Sequence, residues 1–417
     1  LGHDVWVVTE DTESLWVSDS KMLPVALPDE HIVRIPKYPN RCVAAIMRLV
    51  SKVTGRALYP DSYAFWAIKA FDTALEIIDK NGIDYLIVNL GNPSALWCAA
   101  RLKKARPELK LHIDIQDTWT GNPVAFEGRH HRWPMASVDR SLERRFFTHA
   151  DQISVIESTM ADDVTNRYPE LANRISVLPH GYDGDIFDKS TPILPIGTSC
   201  IFRYLGFVND DMRVDNLFLA VSRLRKQNDS QFRNVKFEFV GGSPKIIRDL
   251  AQEYGLEDLV SVRNYVEHSE AVRLMLESDV LMLSWTTDPG CICGKLYEYL
   301  RADRFIFASS QNNLDGQRII TENKRGEWID AFDIDAQMAL ITRLVSGKRQ
   351  GKSILPSGDL PDISHLDRRS IAKDLSNLIE ASVVTKQSTL RDHFDTSHRR
   401  KTIHSPRPAD PYKTCNN

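Results

Sequence analysis

Short apolar runs rich in branched residues recur along the chain, with longer amphipathic segments between them. The runs are Val5–Thr9, Tyr85–Asn89, Leu111–Ile115, Ile153–Ile156, Ile175–Leu178, Phe202–Leu205, Val235–Val240, Val280–Ser284 and Phe305–Ala308. They predict buried parallel strands, which read as continuous apolar runs because both faces are covered. Asp61–Asn81, Ser94–Ala105, Asn216–Arg225, Ser269–Ser278 and Asp367–Ala381 carry helical periodicity. Strand-helix alternation of this kind implies an α/β chain with right-handed crossovers. The alternation runs twice, broken by an aperiodic segment holding Gly184, Pro192, Pro195 and Gly197. The predicted organisation is a doubly wound α/β domain over 1–182, a linker over 183–199 and a second doubly wound domain over 200–366. A C-terminal helix over 367–383 and a polar, disordered tail over 384–417 follow. The opening Leu1-Gly2-His3-Asp4 leads straight into a strand, so an upstream strand is expected.

Composition changes this picture little. The chain has 417 residues, 42% hydrophobic and 26% charged, which excludes a largely disordered chain. A formal charge of −3 lacks the basic footprint of a general nucleic-acid binder. The six cysteines are scattered, which fits a reducing, cytoplasmic setting better than a disulfide framework. No apolar run approaches the roughly 20 residues that span a bilayer. One stretch, Arg41–Asp72, mixes Arg48, Lys52, Arg56 and Lys69 with Met47, Leu49, Phe65, Trp66 and Phe71. It suits either core-packing helices or peripheral contact with an anionic membrane face.

Two facing α/β domains bind ligands beyond the carboxyl ends of their strands, so candidate chemistry is sought there. The segment Asp288-Pro-Gly-Cys-Ile-Cys-Gly-Lys-Leu-Tyr-Glu298 follows a strand and opens a helix at Gly294. Lys295 in a first turn opposes the helix dipole unless it meets an anion. Glu298 lies three residues on. Together they suit a sugar nucleotide, Lys295 for the diphosphate and Glu298 for the ribose; an ordinary i,i+3 ion pair is the alternative. Cys291 and Cys293 read as packing rather than a metal clip. Gly241-Gly242 permits close approach of a ligand, or simply a tight turn. Asp114 and Asp117 end a strand of the first domain. Asp117, further into the loop, is the preferred acceptor-side carboxylate, while Asp114 capping a turn and Trp119 filling a pocket form the alternative. Asn92 or Ser94 is expected to cap the next helix. His268 is either near the base or an ordinary loop residue. Arg129, His130, His131 and Arg132 suit anionic acceptor groups or an exposed loop.

Several segments, in order, resemble retaining glycosyltransferases of the family-4 type (glycosyl transferases group 1), with the two-Rossmann GT-B fold. They are Leu1–Thr9, Leu111–Trp119, Ala150–Ile156, Val177–Asp183 with Phe187, Phe239–Gly242 and Ser278–Leu283 with Lys295–Leu300. The resemblance implies sugar transfer from a nucleotide-diphosphate sugar to a saccharide or lipid-linked acceptor, with retention and no obligatory cofactor or metal. It also implies surface polysaccharide or glycoconjugate assembly on the cytoplasmic face. The chain departs from the family pattern at four places. Gly290 stands where the first of two paired glutamates is usual. Phe207 and Met212 stand where Arg and Lys are usual, with Arg213 as the substitute phosphate ligand. His180 replaces the hinge Asn. A GT-B epimerase or phosphorylase, or a non-catalytic sugar-nucleotide binder, remains the alternative.

Overall fold

The computed structural model describes residues 1–11, 27–54, 59–120, 135–190, 199–208, 212, 214–242, 244–283, 294–311, 314–356 and 358–382. Two compact units result, Leu1–Asp374 and Leu375–Asn417. The second is helical through 382. The expected tail from 384 lies outside the described residues.

The described residues of the larger unit form three parallel sheets. Strands β1 (Val7–Glu10) and β2 (Ile32–Ile35) form a pair. Strands β3 (Tyr85–Asn89), β4 (Lys110–Ile115), β5 (Gln152–Val155) and β6 (Ile175–Val177) lie side by side in that order. The third sheet comprises β7 (Cys200–Leu205), β8 (Val235–Val240), β9 (Val260–Arg263), β10 (Val280–Leu283), β11 (Phe305–Ser310) and β12 (Gly326–Asp330). Its spatial order is β12-β11-β10-β7-β8-β9. The helices are α1 (Arg41–Thr54), α2 (Ala64–Asn81), α3 (Pro93–Ala105), α4 (Met135–Phe147), α5 (Ser158–Arg167), α6 (Val214–Gln227), α7 (Pro244–Tyr254), α8 (His268–Leu276), α9 (Lys295–Arg301), α10 (Leu314–Glu322) and α11 (Ile334–Arg349). A last helix, α12, spans 368–382.

Strand β10 shows why an unbroken apolar run marks a central strand. Val280 and Met282 join a core with Phe202, Phe237 and Phe307, while Leu281 and Leu283 join another with Leu205, Val240 and Ile306. Strands β2, β9 and β12, each partnered on one side only, escape the sequence reading. Their patterns are half-exposed, as in Val260-Ser261-Val262-Arg263.

Three aspects refine the expected boundaries. Arg41–Asp72 is two helices, α1 and the start of α2, with 55–58 outside the described residues. Helix α2 starts at Ala64 rather than Asp61, because the Asp61 carboxylate accepts from the Tyr63 N–H at 2.7 Å and the Ser94 N–H at 2.7 Å. Asp61 therefore caps α3, and neither Asn92 nor Ser94 does so. Of the expected linker, Gly184–Asp188 forms a one-turn helix. Its Phe187 is buried beside Tyr182, Leu366 and Leu300. Tyr182 pairs through its backbone with Leu366 and Arg368, so the chain leaving β6 is fastened to the start of α12.

A second capping carboxylate joins elements of the two larger sheets. Helix α5 has no side-chain cap of its own at Glu157. Asp315, in the first turn of α10, accepts from the Ser158 hydroxyl at 2.7 Å and the Thr159 N–H at 3.0 Å. Burial alone would raise its pKa. The hydrogen bonds from Thr159 and Ser158 outweigh that and hold its carboxyl below the usual range.

Candidate active site

The chain enters the six-stranded sheet at β7, proceeds to β8 and β9, then crosses back to β10 on the other side of β7. The switch point thus lies between β7 and β10, and in open α/β sheets the ligand crevice opens beyond the carboxyl ends of such strands. The turn after β7 is Gly206-Phe207, and the turn after β8 is Gly241-Gly242. Gly206 and Gly241 adopt φ of 146° and 138°, which favours glycine. A Cβ on Gly241 would overlap the Gly206 carbonyl, and one on Gly242 would overlap the Phe207 ring. The close approach permitted by Gly241-Gly242 is therefore between two turns of the sheet itself. It leaves Phe207 64% exposed at the strand ends.

Lys295 opens α9 and crosses this nest. A Cβ on Gly206 would fall on the Lys295 ammonium, whose Nζ lies 5.3 Å from the Tyr204 ring centroid. The absent side chain of Gly206 thus makes the room the ammonium occupies. Gly294 has right-handed helical backbone and open space around it, so the fold itself does not demand glycine there.

Glu298 pairs with His268 and not with Lys295, the partner that the i,i+3 alternative would give it. Glu298 Oε1 and His268 Nε2 are 2.7 Å apart, with the two side chains only 12% and 16% exposed. The hydrogen bond to Glu298 raises the His268 pKa above its ordinary value, against the effect of burial. His268 begins α8, so it is more than a loop residue. Only its position before a helix could have signalled it, since Glu298 is 30 residues away.

The first-sheet candidates separate cleanly. Tyr85 donates to His112 Nδ1 at 3.0 Å, His112 Nε2 to Ser154 Oγ at 2.8 Å, and Ser154 to Asp114 at 2.6 Å. Burial lowers the His112 pKa, consistent with a neutral ring in this relay. Asp114 also accepts from Asn89, so it is committed to the sheet. Asp117, in the turn beyond, is exposed. Trp119 is buried and stacks on Phe146, so it fills a pocket. His180, after β6, has its pKa lowered by burial, opposed by the nearby charges of Asp114 and Asp117. Arg368 acts electrostatically on both His180 and His268. Sequence reasoning missed Arg368, because nothing local distinguishes it from its neighbour Arg369.

Arg213, Gly290, Cys291, Cys293 and the 129–132 cluster lie outside the described residues. Among the described residues, no group of three or more His, Cys, Asp or Glu could hold a metal ion, and no helix is long and apolar enough to cross a membrane.

Comparison with known proteins agrees with this geometry. Residues 189–355 match the family model "Glycosyl transferases group 1". No curated protein sequence matches the chain. Among solved structures, a sucrose-phosphate synthase from Thermosynechococcus elongatus aligns with TM-score 0.56 and 15% identity, over 87% of each chain. A glycosyltransferase from Rickettsia africae gives 0.57 and 14%, over 85% of this chain and 86% of its own. The lipopolysaccharide outer core galactosyltransferase WaaB gives 0.53 and 14%, over 86% and 85%. The chain therefore has the GT-B fold of two Rossmann-like halves, and its six-stranded half carries the glycosyl transferases group 1 match.

Proposed function

We propose that this chain transfers a glycosyl group from a nucleotide-diphosphate sugar to an acceptor hydroxyl, in the retaining, family-4-type manner and with a hexosyl donor. One observation carries the reading. The Lys295 ammonium is held over Gly206 at the switch point, one helical turn from Glu298, within the segment that matches the family. Breaking the anomeric bond leaves negative charge on the diphosphate. A positioned ammonium stabilises that charge where water is partly excluded. Glu298 accepts from the ribose hydroxyls, and the turns at Gly206 and Gly241-Gly242 keep the strand ends open to the donor. Asp117 orients the acceptor hydroxyl and takes its proton. Arg213 is a second phosphate ligand.

A lipid-linked saccharide is the acceptor class we favour, in surface polysaccharide or glycoconjugate assembly at the cytoplasmic membrane face. WaaB is a lipopolysaccharide outer core galactosyltransferase, and α1 supplies a physical reason here. Ile46, Leu49 and Val50 share one face of α1 and are exposed, beside the exposed cations Arg48 and Lys52. The protein should co-sediment with vesicles containing anionic phospholipid, and Leu49→Asp should reduce this. Absence of wild-type binding would remove the membrane contact and leave the donor chemistry standing.

The transfer itself is tested by incubating sugar nucleotides with and without saccharide acceptors and measuring nucleoside diphosphate release. Acceptor-dependent release is expected. Conversion of the sugar nucleotide without acceptor would favour an epimerase. Cleavage requiring inorganic phosphate would favour a phosphorylase. Binding without any turnover would favour a sugar-nucleotide binder.

A further inference from the structure

We propose that His268 is a positioning residue for the donor: it turns the Glu298 carboxylate toward the ribose and offsets its charge against the incoming diphosphate. The inference rests on the donor-site reading above and adds a residue that the reading did not contain.

The geometry carries it. Glu298 projects from the first turn of α9, and His268 from the first residue of α8. Their 2.7 Å contact engages Oε1 and leaves Oε2 to meet a hydroxyl. A carboxylate on a short helix otherwise has several rotamers open to it. The contact selects one, and the surrounding burial keeps it. An anionic carboxylate beside a diphosphate site is also repulsive, and a protonated imidazole removes that repulsion. The ring Nδ1 is buried without a hydrogen-bond partner, so His268 is committed to Glu298 through Nε2 alone.

The charges facing His268 come from several elements. Glu298 on α9 and Asp183 in the turn after β6 favour the protonated ring, and Arg368 at the start of α12 opposes it. Glu298 is the leading influence and raises the His268 pKa. A His with a raised pKa makes its contribution in full below the ordinary value near 6.5 and loses it as pH rises through the shifted value. Donor affinity should follow the same course.

The test uses a sugar nucleotide, whose two esterified phosphates do not titrate in this range. UDP-glucose, GDP-mannose and ADP-glucose are screened by calorimetry, and the tightest is compared with its 2′-deoxy analogue at pH 6.0 and pH 8.5. Wild-type affinity should fall about threefold to tenfold between the two, as the ring loses the positive charge that offsets Glu298 beside the diphosphate. His268→Gln places an amide N–H where Nε2 stands. It should keep the penalty for losing the 2′-hydroxyl and lose the pH dependence. His268→Ala should lose most of that penalty while circular dichroism shows the fold retained. The proposal is overturned if His268→Ala keeps both the wild-type penalty and the wild-type pH slope. It falls together with the donor-site reading if wild type binds none of the three. A 2′-hydroxyl penalty that depends on Glu298 but not on His268 would retain the donor site and discard only the positioning role.

Discussion

Lys295→Ala is expected to weaken binding of a nucleoside diphosphate by about 1.5–3 kcal/mol, or one to two orders of magnitude in Kd. A charge-assisted contact to phosphate is lost, since the Lys295 ammonium is the group nearest the Cβ position of Gly206 in the β7 turn. Gly206→Ala should reproduce much of this loss with the lysine still present. The added Cβ would claim the space of the ammonium, and φ of 146° is one that alanine rarely adopts. Titration calorimetry on both variants decides the matter. If Lys295→Ala binds as wild type does, the diphosphate lies elsewhere.

The largest expected effect on stability is at Glu143, away from the donor site. Glu143 on α4 is fully buried. Its carboxylate accepts from the Tyr168 hydroxyl at 2.6 Å and the Thr120 N–H at 3.1 Å, and it pairs with Arg167. Glu143→Ala strands those donors in a buried place. Breaking one member of a buried network of this kind costs about 3–5 kcal/mol. The lower end applies, because Arg167 keeps its 2.8 Å contact with Asp163. At about 2–4 °C per kcal/mol, the first thermal transition should fall by roughly 6–12 °C. Glu143→Gln, which retains an acceptor, should fall less. A scan in which Glu143→Ala melts with wild type would show that the cluster contributes nothing net.

How much was legible follows from what each feature depends on. The central strand β10 is visible because burial on both faces leaves an unbroken apolar signature. Edge strands β9 and β12 lack it. Lys295, Glu298 and the paired glycines were legible as a local pattern at a strand-to-helix junction. Their partners were not, because those contacts are set by the tertiary fold. The i,i+3 alternative read from the sequence pairs Lys295 with Glu298. The folded chain sends Lys295 across Gly206 and gives Glu298 to His268 instead. The caps obey the same logic. Local rules nominate Asn92 or Ser94 for α3, whereas Asp61 caps it from a distant segment, as Asp315 does for α5. The sequence prefers Asp117 to Asp114 only for its place further into the loop, whereas the relay from Tyr85 through Ser154, which engages Asp114, is set by the fold.

A donor bound at the switch point of the six-stranded sheet should cover the ends of β7 and β8 and the first turn of α9. Amide hydrogen exchange with and without saturating sugar nucleotide tests this most directly. Protection should appear in the peptides covering Gly206–Val208, Gly241–Gly242 and Lys295–Glu298, because bound ligand covers those strand ends and the first turn of α9. Lys295→Ala should diminish all three together. Protection confined to the turn at Asp117–Thr120, with none around Gly206 and Lys295, would contradict the account.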